Sequence, residues 1–248
     1  MSLAYETHGA GAPVVLLHGL TFDRRSWRPI IERLGGDMRT IAIDLPAHGE
    51  SAGSPAYLDV VAAQVHELVT ELAIDPPVVV GHSISGGIAM IYAATYPTRG
   101  AVSVDSPIDV RPLARLVQPI RPALEGPAFE QAFAPVQQSM RIDLVPGGVA
   151  QQIRQDVVLG YWDELLHLDP EKFQQRITTI AHRITVPALA LFGDELTSEQ
   201  RAYYAAHAPT AEIEEWPGAG HMLHLVDSDR FTARLRSFVA SVTPVGAL

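Results

Sequence analysis

The chain has 248 residues, of which 47% are hydrophobic, enough for one large domain with a sizeable core and an insertion. Its formal charge of −10 argues against a nucleic-acid groove and against an anionic membrane surface. With no cysteine it has no disulfide framework, no thiolate nucleophile and no thiolate metal site.

The first residues lack a basic run followed by an apolar stretch, so no secretory leader is expected, and a soluble cytoplasmic protein is the expectation. Leu3 to Thr7 is a short strand candidate, followed by a glycine-rich turn. Val14 to Leu17 is continuously apolar, as in a strand buried on both faces, and leads into His18-Gly19-Leu20. A glycine there permits a sharp turn that could aim the Leu20 N–H at a substrate oxygen; an ordinary strand exit explains it equally simply. Arg24 to Leu34 has helical spacing, and Thr40 to Ile43 reads as a strand ending in the turn-rich Asp44–Ser51 loop. Leu58, Val61, Val65, Leu68 and Leu72 mark one face of an amphipathic helix.

Val78-Val79-Val80-Gly81-His82-Ser83-Ile84-Ser85-Gly86 then reads as strand, sharp turn and helix with Ser83 at the tip. Small residues two before and two after the serine are what so tight a turn requires, the nucleophile-elbow pattern. The following helix N-terminus favours negative charge developing on whatever the hydroxyl attacks. His82 is read as structural. A helix to Tyr96 and a strand over Ala101–Asp105 follow, with an acid at the strand's carboxyl end. This alternation implies a parallel sheet with helices on both faces. From about Pro107 to His182 it stops. Seven further prolines interrupt short helical patterns there, which suggests a helical insertion over the sheet. A strand from Val186 to Gly193, a helix over Ser198–His207, a strand over Ala211–Trp216, the glycine-flanked His221 and a closing helix complete the order.

Ligands bind at the carboxyl ends of strands in open parallel sheets. His18, Ser83, Asp105 and His221 all fall there. A serine hydroxyl needs a neighbouring imidazole to take its proton, and the imidazole needs a carboxylate to fix its tautomer. His224, three residues past His221, lacks carboxylates at matching spacing, so no metal site is expected.

On His18-Gly19, Asp44–Ser51, Gly81–Gly86 and Gly218–His221, in this order, the chain resembles the α/β-hydrolase superfamily, in its capped, cofactor-independent branch. The resemblance implies an α/β fold: a mostly parallel sheet flanked by helices, with a helical cap inserted after the sixth family strand, the family's first edge strand being absent. The expected division is hydrolase core over 1–106, cap over 107–182 and core again over 183–248. By resemblance Ser83 is the nucleophile, His221 the base, and the N–H groups of Leu20 and Ile84 the oxyanion hole. Most members place the acid three residues after the glycine that follows Phe192, where this chain has Leu196. The candidates are therefore Asp105, which is favoured, then Glu195 and Asp194. An aspartate at such a strand end can also simply cap the next turn.

The expected function is cleavage of an ester-type acyl bond of a small, largely apolar substrate, as by a carboxylesterase, lactonase, thioesterase or C–C hydrolase. No cofactor is expected, the partner is a small-molecule substrate, and the protein is a monomer or homodimer. A lyase or perhydrolase on the same site, or a non-catalytic binding member with a degraded triad, are the other readings.

Overall fold

The computed structural model describes residues 3–243. Seven strands form one sheet in the order β1-β3-β2-β4-β5-β6-β7. They are β1 (Tyr5–His8), β2 (Pro13–Leu17), β3 (Arg39–Ile43), β4 (Val78–His82), β5 (Gly100–Val104), β6 (Ala188–Phe192) and β7 (Ala211–Glu215). Only β1, at one edge, is antiparallel; the others are parallel. The central strands β2, β4 and β5 are buried along their whole length, which explains their unbroken apolar runs.

The pleat sends alternate residues to two cores. Val15 and Leu17 of β2 face a layer holding α2 (Leu58–Glu71) and α3 (Ile84–Thr95). Val14 and Leu16 face the opposite layer, built on α1 (Arg28–Leu34), through Trp27, Ile30 and Leu34. Truncating a side chain such as Leu16, fully buried, costs about 2–5 kcal/mol. The expected first helix divides in two. Arg24–Trp27 is a 3₁₀ turn, and α1 starts only at Arg28. Pro29 has no N–H to return to the Arg25 carbonyl, so the preceding turn tightens.

The register positions the site. Leu17 pairs with Gly81, and Gly81 with Ser103, so β2, β4 and β5 end at one level. Chain order reverses between β2 and β4, and this is where ligands enter such sheets.

Between β5 and β6 the described residues contain helices and no strand. They are α4 (Arg111–Val117), α5 (Arg121–Glu125), α6 (Phe129–Ser139), α7 (Gln155–Tyr161), α8 (Asp163–His167) and α9 (Pro170–Ala181). Phe133 packs between Phe129 and Trp162 and joins these helices to the α2–α3 core. Tyr161 donates to the Pro46 carbonyl at 3.1 Å. Buried Gln174 of α9 holds the exit of β5, accepting from Val110 N–H and donating to Ile108 O, both at 2.9 Å. The turn at Gly147–Gly148 has open space on both residues. After β6 come α10 (Ser198–His207), α11 (Leu223–Val226) and α12 (Ser228–Val242). No helix of the described residues is long and apolar enough to cross a membrane.

Candidate active site

Ser83 sits between β4 and α3 with φ 56° and ψ −126°, a conformation that non-glycine residues rarely hold. Its N–H donates to Val104 O and its carbonyl accepts from Gly86 N–H, both at 2.8 Å. A Cβ on Gly81 would stand 1.9 Å from the Ser85 carbonyl, so no side chain fits there. Ser85 Oγ donates to His18 O at 2.5 Å and ties the start of α3 to the end of β2.

His221 comes from the glycine-flanked loop after β7. Its Nδ1 lies 2.6 Å from Asp105 Oδ2. A carboxylate can only accept, so Nδ1 carries the proton and Nε2 keeps the lone pair. Asp105 leaves β5 with φ 48°. Its N–H donates to Leu191 O at 2.8 Å, and its Oδ1 accepts from Gly193 N–H at 3.0 Å. Both residues of the pair are partly buried. Gly193 also fixes the histidine loop. Gly220 N–H donates to Gly193 O at 3.1 Å, and a Cβ on Gly193 would meet the Gly220 carbonyl at 1.9 Å.

The other two acid candidates lie on the loop after β6 and are exposed. Asp194 Oδ1 accepts from Gly218 N–H at 3.4 Å. Neither Asp194 nor Glu195 bonds His221, whose carboxylate partner among the described residues is Asp105. Leu196, at the position where most members carry the acid, is buried with Ile108, Phe192 and Tyr204.

Ser83, His221, Asp105, Leu20 and Ile84 all line one cavity of about 430 Å³, whose remaining wall is mostly apolar and includes Met90, Ile108, Trp162 and Phe173. Ile84 is the first residue of α3, so its N–H is among those the helix leaves without an internal acceptor. No hydrogen bond joins the Ser83 hydroxyl to His221 among the described residues; such bonds commonly tighten only with substrate in place. A second cavity of about 450 Å³, between residues 145–150 and the start of α12, holds none of these groups.

Three further histidines surround the site without opening onto it. His18 is fully buried. It accepts from Leu45 N–H at 3.0 Å through Nε2, so Nδ1 donates to Gly19 O at 2.8 Å. It stands at the end of β2 as expected, but its ring is buried and does not line the cavity. Burial lowers its pKa to about 3. His224 is buried against Trp27 and Phe231, again at about 3 through burial. His82 has its ring against Gly19 and donates from Nε2 to the His221 carbonyl at 2.9 Å. Burial, helped by the neighbouring imidazoles, holds its pKa well below the usual value. Asp44 is fully buried and bound by Arg24, so the Asp44–Ser51 loop is held by an internal ion pair away from the serine.

The profile of the family described as "Alpha/beta hydrolase family" matches residues 14–235. The chain belongs to the α/β hydrolase family. It is 28% identical over 245 residues to the dihydrolipoyllysine-residue acetyltransferase component of the acetoin cleaving system of Pseudomonas putida, covering 92% of this chain but 64% of that protein. The chain thus spans slightly less than two thirds of that relative's length. It is 24% identical to a Synechocystis protein provisionally named a non-heme chloroperoxidase, covering 96% of this chain and 95% of that one. Among solved structures, Est816, titled an N-acyl homoserine lactone degrading enzyme, superposes with a TM-score of 0.76 at 23% identity, covering 95% and 96% of the two chains.

In this α/β hydrolase the residue reading missed two features. One is the bond from His82 to the carbonyl of His221. A backbone acceptor has no signature in sequence, although the position beside Ser83 was a clue. The other is the group Asp59, Glu164 and Arg176 on the cavity wall, drawn from three helices with no common spacing.

Proposed function

We propose that the protein is a serine hydrolase that cleaves an ester-type acyl bond of a small, largely apolar substrate. The observation that carries this is the 2.6 Å contact of His221 with Asp105 on the cavity that also holds the strained Ser83. His221 Nε2 takes the Ser83 proton as Oγ attacks the acyl carbonyl. The oxyanion forms at the N–H groups of Leu20 and Ile84, where one donor typically contributes about 100- to 1000-fold in rate. His221 then protonates the leaving oxygen, and water, activated by the same nitrogen, releases the acid. Asp105 holds the imidazole tautomer and stabilises the imidazolium. The helices α4–α9 act as the cap that shapes the acyl pocket.

A second reading keeps the same acyl-enzyme but lets hydrogen peroxide replace water, releasing a peracid. The relative named a non-heme chloroperoxidase, aligned over nearly the whole chain, favours it.

The test is labelling by a fluorophosphonate probe with intact-mass detection. One adduct on the wild type, lost in Ser83→Ala, is expected. A folded wild type that takes no adduct refutes the proposal. Peracid formation from an ester and peroxide, measured alongside hydrolysis, separates the two readings.

A further inference from the structure

The charged side chains on the cavity wall, besides His221, are Asp59, Asp105, Glu164, Asp194 and Arg176. Asp105 is committed to His221. Arg176, on α9, is the one Lys or Arg among the described lining residues. It is already engaged twice, by Asp59 of α2 at 3.3 Å and by Glu164 of α8. These two carboxylates outnumber the guanidinium, and Asp194 adds a further negative charge to the same wall. Glu164 is largely screened from solvent, whereas Asp59 and Arg176 are half-exposed, so these charges stand at a partly solvated rim of the cavity.

An acyl chain ending in a carboxylate meets no free cation here. To reach Arg176 it must displace one carboxylate and lie beside the other. A methyl terminus pays no such penalty against the apolar wall. A terminal amide, hydroxyl or ammonium group finds acceptor oxygens.

We propose that Asp59, Glu164 and Arg176 select acyl substrates whose chain is neutral or carries a hydrogen-bond donor, and exclude those whose chain ends in a carboxylate. This specificity rests on the serine-hydrolase reading of Ser83.

The test compares 4-nitrophenyl hexanoate with the mono-4-nitrophenyl ester of adipic acid, which has the same chain length with a terminal carboxylate. Shorter and longer members of both series cover other reaches. For the wild type, kcat/KM should favour the neutral ester at least about thirtyfold, and less so in 0.5 M salt, which screens charges at this rim. In Asp59→Asn/Glu164→Gln, Arg176 is released, and the ratio of carboxylate to neutral ester should rise about tenfold or more. Adding Arg176→Gln should remove that gain. Wild-type turnover of both esters at comparable rates overturns the proposal, as does a double variant that moves both esters in parallel. If the double variant does not fold, the wild-type ratio and its salt dependence decide. Absence of turnover for every ester, together with absence of fluorophosphonate labelling, overturns the serine-hydrolase reading instead.

Discussion

Acid should destabilise this protein well above the range where its carboxylates titrate. His18, His224 and His82 are 0%, 1% and 2% exposed. Burial holds the first two neutral down to about pH 3, and the third well below its usual value. In the unfolded chain each returns to about 6.5. Between these limits the unfolded chain binds more protons. The stability these rings contribute is therefore complete above pH 6.5 and is lost as the pH falls toward the folded values. At pH 5.5 His18 and His224 each cost on the order of 1 kcal/mol, and His82 adds in the same direction. Together these are a substantial share of the roughly 5–15 kcal/mol that holds a domain folded. Urea unfolding followed by circular dichroism at pH 7.5 and 5.5 measures the drop. In His224→Leu one titrating ring is gone, and the drop should shrink by about 1 kcal/mol. A wild-type drop below about 1 kcal/mol, or an unchanged drop in the variant, would refute the burial argument.

Two substitution series test the site. Asp105→Asn should lower kcat by about 10³- to 10⁴-fold, the scale seen when a triad carboxylate is neutralised in place. Glu195→Gln should stay within about threefold, and Asp194→Asn should cost far less than Asp105→Asn; equal losses at Glu195 and Asp105 would remove Asp105 from its assigned role. His82→Phe should lower kcat about tenfold with little change in KM, because the His221 carbonyl loses its donor. His82→Gln, which keeps an N–H at similar reach, should recover most of it. Equal losses in both variants, tracking their melting temperatures, would mean that the ring only fills space.

Much of the fold was legible because periodicity reports burial directly. β2 is apolar throughout because both faces are covered, and α2 shows one apolar face because only one is. The elbow was legible because backbone geometry admits no side chain at Gly81, two residues before Ser83. The number of helices between β5 and β6 was not, since α4, α5, α7 and α8 have only five to seven residues each, too few for a repeating pattern. Asp105 was favoured over Glu195 and Asp194 from its place at a strand end, but its contact with His221 was beyond residue patterns. It turns on the path of the loop after β6, which is set by Leu196 entering an apolar cluster with residues from three other segments. The burial of His18 was hidden for a related reason. Its Nε2 partner is a backbone N–H 27 positions away, and only the fold reveals it.

Asp105, the carboxylate that meets His221, stands at the end of β5, so the candidate site is divided unevenly along the chain. Ser83, Asp105 and the N–H groups of Leu20 and Ile84 all precede the helical segment, and His221 alone follows it. The open Gly147–Gly148 turn lies between. Under the proposed mechanism, severing the chain there would leave one fragment with a nucleophile and no base, and the other with a base and nothing to deprotonate. If the chain is the serine hydrolase proposed above, each half would be silent and turnover would appear only on reassembly, which makes this architecture a natural frame for a split reporter of protein association.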